Sequence, residues 1–185
     1  MDLRKKKTLQ AIEAAFCHLR NQKPLEQISV TELVQQAQIS KATFYLHYRD
    51  IFDLSEKLQV SAIKQVLDRM DISISLIDHW PEFTQKIMTI VDQDSLQLSV
   101  LFSGSQMVMF PILLENQLRE YILAQHPELK EDTELSIRLT YHIQGSYHTY
   151  LRHAHHTDMR RILEIIDEIH SSAGMILPGP DNSPA

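Results

Sequence analysis

Residues 29–48 read SVTELVQQAQISKATFYLHY, and the predicted fold depends mainly on these twenty residues. Ser29 has the chemistry of a helix N-cap, and Glu32 three residues later completes a capping box. The chain then turns at Gln38, and a second N-cap, Ser40, opens another short helix. Two short capped helices joined by a tight turn predict a helix-turn-helix unit.

The second of these helices, predicted over Lys41–Tyr48, is the candidate recognition helix. In a helix-turn-helix unit the recognition helix enters the major groove of DNA by its N-terminal end. Small and polar side chains cluster at that end: Lys41, Ala42 and Thr43. Side chains that could reach phosphate oxygens follow, at the end of the helix and in the next turn: Tyr45, His47 and Arg49. Apolar side chains are expected to pack the unit together: Ile39, Phe44 and Leu46.

The remainder of the chain also predicts helices, since it has only four glycines and its apolar residues recur at intervals of three and four. A stripe of Leu9, Ile12, Phe16 and Leu19 marks the first helix. Further helices are expected at these positions: Asp50 to Met70, Pro81 to Val91, Ser95 to Phe102, Pro111 to His126, Thr133 to His153 and Asp158 to Leu177. Residues 178–185, which contain three of the seven prolines, should be a disordered tail.

Charge is unevenly distributed along the chain, although the formal net charge is -6. Residues 1–49 hold eight basic and four acidic side chains, whereas residues 71–185 hold seven and sixteen. We therefore expect only the N-terminal part to meet an anionic partner.

Cys17 is the single cysteine, so no intrachain disulfide can form, and there is no apolar run long enough to cross a membrane. These features predict a cytoplasmic protein without membrane contact.

The runs SVTEL at 29–33 and AQISKATFYLHY at 37–48 resemble the DNA-binding signature of the TetR family of transcriptional regulators. The resemblance is strong over about 20 residues, and the first helix extends it to about residue 55. The remainder matches only in length and helical character. The resemblance implies an all-α protein with an N-terminal three-helix helix-turn-helix domain, residues 1–52, and a C-terminal helical domain for ligand binding and dimerisation, residues 53–177.

The same resemblance implies which side chains would meet double-stranded DNA. Contacts to base edges are implied for Thr31, Lys41, Ala42 and Thr43. Contacts to the DNA backbone are implied for Ser29, Tyr45 and His47, and we add Tyr48 and Arg49 to the predicted interface. The expected function is a ligand-responsive dimeric repressor that binds a palindromic operator.

Two residues depart from the family pattern. Gln38 stands where most members carry glycine, which would cost about 1 kcal/mol if the turn needs a positive φ there. Ile51 stands where many members carry a phosphate-binding lysine, and Arg49 is the candidate substitute. A minority of relatives bind protein partners instead of DNA. An alternative function is therefore recruitment of a protein partner, with weak or no DNA binding.

The last two predicted helices are the ones that pair across a two-fold axis in regulators of this family, so a homodimer is expected. The side chains predicted for the dimer interface are Leu139, Ile143, Gly145, Ile162, Ile166, Ile169 and Ala173. The resemblance also implies a ligand pocket, and the candidate lining is Trp80, Phe83, Phe102, Met107, Phe110, Tyr121 and Tyr141. Such an aromatic and methionine-rich lining favours a small, mostly apolar ligand.

Neither a metal site nor catalysis is expected. The chain has ten histidines, but His142 and His153, on one face of a predicted helix, would lie about 16 Å apart. One ion needs ligands three or four residues apart on a helix, and His153 with His156, or His155 with Asp158, would meet this only if the helix continued through the break. No metal and no cofactor are therefore predicted. The sequence has no Ser/His/Asp order, no paired-carboxylate motif and no glycine-rich phosphate loop, so an enzyme is not predicted.

Overall fold

The computed structural model describes residues 3–70, 80–93 and 95–173. Within these ranges the chain forms helices and turns and contains no strand, which confirms the all-α class. The helices are α1 (Leu3–Arg20), α2 (Val30–Gln36), α3 (Lys41–Tyr45), α4 (Ile51–Asp68), α5 (Trp80–Gln93), α6 (Ser95–Leu101), α7 (Met109–Gln125), α8 (Thr133–His153) and α9 (Met159–Ala173). Short 3-10 helices occur at Leu25–Gln27, Gly104–Val108 and Pro127–Glu131.

The chain divides into two compact units. The first unit comprises Met1–Val66 and Val91–Gln117, and the second comprises Leu67–Ile90 and Leu118–Ala185. The predicted helix-turn-helix residues thus lie in a unit that also holds Val91–Gln117. The division at residues 52 and 53 stays a prediction.

The core of the first unit forms around α1, which packs on α2 and α6, while α2 packs on α3. Ile12 and Phe16 of the predicted α1 stripe are fully buried, as is Phe44 of α3. Side chains of this size stabilise the fold by about 1.5–3 kcal/mol each when buried. Lys5, Lys6 and Lys7 lie in the first turns of α1, and their side chains are exposed.

A buried arginine fixes the segment that follows α6 to the end of α1. The guanidinium of Arg20 donates to the carbonyl oxygen of Ser103 at 3.1 Å and to its hydroxyl at 2.6 Å, and also to the Lys23 carbonyl. From α4, the buried Gln59 amide donates to the Leu101 carbonyl at 2.9 Å. The predicted break at Ser103–Ser105 is thus held by polar side chains of α1 and α4, with Gly104 at φ +59°.

The second unit is built on α8 and α9, which pack against each other. The bounds predicted for α8, Thr133 and His153, are confirmed. Helix α9 is described from Met159 to Ala173, and the predicted tail at 178–185 lies outside the described residues. Trp80 is buried in this unit, and its ring stacks on that of His142 with centroids 4.2 Å apart.

Candidate nucleic-acid interface

Helix α2 begins where its N-cap was predicted. The Ser29 hydroxyl accepts a hydrogen bond from the backbone N–H of Glu32 at 3.2 Å. The Glu32 carboxylate, however, accepts from Lys23 Nζ and so does not close the reciprocal half of the expected capping box. The cap is therefore confirmed, and an ion pair to the segment after α1 replaces the second bond of the box.

The N-cap of α3 is confirmed as well, since the Ser40 hydroxyl accepts from the backbone N–H of Thr43 at 3.0 Å. The Ser40 and Thr43 hydroxyls also hydrogen-bond to each other at 2.8 Å. The helix is shorter than predicted, because it ends at Tyr45 and the chain continues as a turn. Thr43 is thus held at the first turn of α3 by two hydrogen bonds to its own N-cap.

The turn between α2 and α3 has a left-handed residue at its centre. Gln38 has φ +55°, the conformation in which glycine would be unstrained. Its N–H donates to the Gln35 carbonyl at 3.2 Å, and the N–H of Ile39 donates to the Val34 carbonyl at 3.0 Å. This hydrogen-bond pair is a Schellman motif, which ends a helix by placing one residue at positive φ. The turn therefore keeps the backbone geometry of a glycine turn although it carries glutamine.

Most of the side chains predicted to face DNA are accessible in the structure. Ser29, Thr31, Lys41, Ala42, Tyr45 and Arg49 are exposed, and Thr43, His47 and Tyr48 are half-buried. The expected packing is confirmed for Phe44, which is fully buried with its ring against those of Tyr45 and Tyr48. It is wrong for Leu46, which is 80% exposed because α3 has ended before it and the helical period no longer applies.

The carboxylate of Asp53, in the first turn of α4, forms ion pairs with two cations, Arg49 and Lys57. Asp50 begins α4 by accepting from the Asp53 N–H at 2.8 Å. The Asp53 carboxylate, 7% exposed, accepts from Lys57 Nζ at 2.9 Å and from the Arg49 backbone N–H at 3.0 Å. It also accepts from the Arg49 guanidinium, at 3.2 Å from Nη2 and 3.3 Å from Nε. Lys57 first, and then the Arg49 N–H, hold the pKa of the Asp53 carboxyl below its ordinary value.

Lys57 is a cation of this region that the sequence analysis missed. Its ammonium also donates to the His47 carbonyl at 3.1 Å and lies 5.2 Å from the centroid of the Tyr48 ring. Burial raises the pKa of the Tyr48 phenol, which therefore stays protonated at neutral pH. The one sequence signal for Lys57 was its spacing of four from Asp53 on a helix. Its contacts to residues 47 and 48 depend on how α4 meets the end of α3.

Ile51 belongs to the core rather than to the surface. Its side chain is 4% exposed at the start of α4, whereas the neighbouring Phe52 is 55% exposed. A lysine at position 51 would have to leave the core to reach phosphate. The cations available near this helix start are therefore Arg49, 82% exposed, and Lys57, 54% exposed.

The residues predicted for the dimer interface divide into inward and outward sets. Leu139, Ile143, Ile162 and Ile166 are buried within the second unit, and Gly145 and Ile169 are exposed. The side chain of Ala173 lies outside the described residues. Further exposed apolar side chains occur on α8 and α9, namely Ile137, Tyr141 and Ile165. A cleft of about 140 Å³ lies between the two helices, lined by Tyr141, Gly145, Ser146, Thr149, Ile166 and Ile169.

The residues predicted for a ligand pocket fall into both units. Phe102, Met107 and Phe110 belong to the first unit, and Trp80, Phe83, Tyr121 and Tyr141 to the second. The rings of Phe102 and Phe110 meet edge to face at 5.1 Å, and those of Trp80 and Phe83 at 5.3 Å. Each of these two ring pairs lies within one unit, and of the seven predicted residues only Tyr141 lines the cleft described above.

No three histidine, cysteine or acidic side chains in residues 3–70, 80–93 and 95–173 come together as a metal-binding group. Cys17 is half-buried, and burial followed by the nearby Glu13 raises the pKa of its thiol. In the same ranges, no helix has both the length and the apolar character needed to cross a membrane.

Comparisons with protein-family models, with curated proteins and with solved structures find no match.

Proposed function

We propose that this chain is a dimeric DNA-binding transcriptional regulator, a cytoplasmic repressor that responds to a small, mostly apolar ligand and binds a palindromic operator. The observation that carries the proposal is the pair of capped helices α2 and α3 around the left-handed Gln38. This pair leaves Lys41 and Ala42 exposed at the first turn of α3, the end that enters a major groove in helix-turn-helix proteins.

The proposal assigns two kinds of contact to different side chains. Lys41, Ala42, Thr43 and, from α2, Thr31 read base edges in the major groove. Ser29, Tyr45, His47, Tyr48 and Arg49 hold the sugar-phosphate backbone and fix the register of the protein on the duplex. Arg49 suits this role because its side chain is largely exposed in the turn between α3 and α4.

A homodimer follows from the proposal, because a palindromic operator needs two recognition helices about 34 Å apart or a multiple of that distance. Its support is the apolar surface of α8 and α9, on which Ile137, Tyr141 and Ile165 are exposed. Gly145 belongs to the same surface, and apart from its neighbours and the adjacent backbone of α8, a Cβ at this position would meet no atom within 4 Å. A second helix can approach a backbone closely at such a residue.

The test is selection of the purified protein against a random duplex library, followed by titration of the selected duplex and a scrambled duplex at several salt concentrations. We expect a palindromic site. Lys41→Ala should weaken binding to the selected duplex much more than to the scrambled one. Arg49→Ala should weaken both about equally and make the negative slope of log K against log salt about 0.9 less steep, the value for one lost phosphate contact.

Lys86→Ala is the matched control for both variants. Lys86 is an exposed cation on α5 of the second unit, paired with Glu82 at 2.9 Å, and is outside the proposed interface. Its removal should leave affinity and salt slope unchanged on both duplexes. Equal losses from Lys41→Ala and Arg49→Ala on the two duplexes would contradict the assigned roles, and no enriched site from a folded dimer would contradict DNA recognition itself.

A second candidate function, recruitment of a protein partner, is favoured by one feature of the same region. Three large apolar side chains between the end of α3 and the first turn of α4 are exposed, Tyr45 at 57%, Leu46 at 80% and Phe52 at 55%. Exposed apolar surface is typical of protein interaction sites. Tight and sequence-selective DNA binding by the purified chain would remove this candidate.

A further inference from the structure

Asp53 is a carboxylate shared by two cations that differ in how firmly they are held. The ammonium of Lys57 binds Oδ2 at 2.9 Å, whereas the guanidinium of Arg49 binds Oδ1 at 3.2 and 3.3 Å. The Arg49 side chain is 82% exposed, so water and salt compete for it. Of the two ion pairs, the one to Arg49 is the easier to break.

The Asp53 pairing occupies one of the two guanidinium edges of Arg49 that can bind phosphate through two parallel hydrogen bonds. Nε and Nη2 form one side of the planar guanidinium, and both donate to Oδ1 of Asp53. A phosphate that binds this edge through two parallel hydrogen bonds must take the place of the carboxylate. Contact between this edge and DNA therefore requires Arg49 to leave Asp53.

Asp53 remains paired when the Arg49 side chain leaves. Lys57 Nζ stays on Oδ2 and is itself held by the His47 carbonyl at 3.1 Å and by the face of the Tyr48 ring. The backbone N–H of Arg49 continues to donate to Oδ2 at 3.0 Å. The departure of the guanidinium thus leaves no uncompensated charge at this largely buried carboxylate.

We propose that Asp53 holds the guanidinium of Arg49 in the free protein and releases it to a DNA phosphate, while Lys57 keeps the carboxylate paired. Asp53 is then a residue that lowers DNA affinity through Arg49, and Lys57 is a residue that permits the exchange without itself touching DNA. This inference rests on the proposed function, because the competing anion is the phosphate of a bound duplex.

The test is a double-mutant cycle read as affinity for a random-sequence duplex at several salt concentrations. Asp53→Asn should raise the affinity of the otherwise unchanged protein about three- to tenfold, because Arg49 no longer has to leave an anion. In the Arg49→Ala background the same change should alter the affinity less than about twofold. Glu56→Gln is the control, since it makes the same charge change at an exposed residue of α4 and should have under about a twofold effect in both backgrounds.

If Asp53→Asn prevents folding, Lys57→Met provides a second double-mutant cycle. Methionine removes the ammonium of Lys57 and keeps an unbranched apolar side chain beside Tyr48. With Arg49 alone on the carboxylate, affinity should fall about threefold or more, and this loss should disappear in the Arg49→Ala background. A loss that persists without Arg49 would mean that Lys57 itself contacts phosphate and would overturn the exchange. An Asp53→Asn gain of equal size in both backgrounds would overturn it too.

The unsubstituted protein separates failure of this inference from failure of the proposed function. Binding of the random duplex with a steep salt slope, combined with additive cycles, would overturn the exchange alone. No binding even at low salt, by protein shown to be folded, would overturn DNA recognition and the exchange together.

Discussion

The backbone N–H of Ile39 donates to the carbonyl oxygen of Val34 at 3.0 Å, and this bond encloses a left-handed Gln38 between α2 and α3. A side chain at positive φ is strained by the contact of its Cβ with the backbone, at a cost of about 1–2 kcal/mol. The chain keeps this conformation because the Schellman bonds to Gln35 and Val34 end α2 on one side of Gln38, and the Ser40 cap begins α3 on the other.

We predict that Gln38→Gly stabilises the protein by about 0.5–1 kcal/mol, because relief of the strain exceeds the added backbone entropy of glycine in the unfolded chain. Gln35→Gly is the control. Gln35 is an exposed residue inside α2, so glycine brings only the entropy cost there and should destabilise by about 0.5–1 kcal/mol. Urea unfolding of both variants measures the difference, and effects of the same sign would contradict strain at Gln38.

Ile51→Lys is predicted to destabilise the fold without improving DNA binding. Ile51 is 4% exposed, and its replacement loses buried apolar area and places an ammonium in the core, at a cost of at least about 2 kcal/mol. Phe52→Lys introduces the same charge one residue later at an exposed position, where we expect a stability change within about 0.5 kcal/mol and tighter duplex binding. Unfolding and duplex titration of the two variants test this. An Ile51→Lys protein that is as stable as the unchanged one and binds DNA more tightly would contradict the burial argument.

The ion pairs of Asp53 predict acid sensitivity of the first unit. In the folded protein the pKa of the Asp53 carboxyl lies below its ordinary value of 3.8, because Lys57 first, and then the Arg49 N–H, stabilise the charged form. A carboxyl with a lowered folded pKa contributes stability that is complete above its unfolded pKa and is lost as the pH falls through the folded pKa. Asp53→Asn should therefore have a lower urea midpoint than the unchanged protein from pH 7 to about 5, and this gap should close below about pH 4.

Glu56→Gln is the control for this pH series, since it removes an exposed carboxylate from the same helix. Its urea midpoint should equal that of the unchanged protein throughout the series. A gap for Asp53→Asn that stays constant down to pH 3 would show that the side-chain shape, and not its charge, matters at this position.

The local chemistry of the candidate site was predictable from the sequence. Ser29 and Ser40 cap helices in the structure because a short hydroxyl side chain needs only the N–H three residues later, a contact set by the sequence itself. The strain at Gln38 was predictable from the family pattern for the same reason, since a turn depends on few residues. Leu46 was placed wrongly because the prediction extended α3 beyond Tyr45.

Contacts between elements were not predictable in this way. Lys57 meets the His47 carbonyl and the Tyr48 ring, and neither contact follows from spacing along the chain. On α8 and α9, apolar periodicity identified Leu139 and Ile166 but could not tell an inward face from an outward one. Both are buried, while Tyr141 is 57% exposed.

The outward surface of α8 and α9 gives the last prediction, which concerns the proposed homodimer. Tyr141 and Gly145 are one helical turn apart on α8, and the cleft of about 140 Å³ beside them is also lined by Ile169 of α9. A cleft of this size matches an apolar side chain rather than a drug-sized ligand, which typically needs a pocket of about 300 Å³ or more. A second copy of the chain that brings α8 and α9 to this surface would fill it and cover the apolar side chains around it.

Tyr141→Glu should therefore raise the dissociation constant of the dimer at least about tenfold, because it buries an unpaired carboxylate at the centre of this surface. Leu96→Glu is the matched control, since it places the same charge on an apolar side chain of α6 that is 86% exposed in the first unit. We expect the control to leave the dissociation constant within about twofold. Sedimentation equilibrium of the two variants and the unchanged protein measures both. A Tyr141→Glu protein that dimerises like the unchanged one would contradict the surface as the dimer contact, and equal weakening by Leu96→Glu would place the contact on α6 as well.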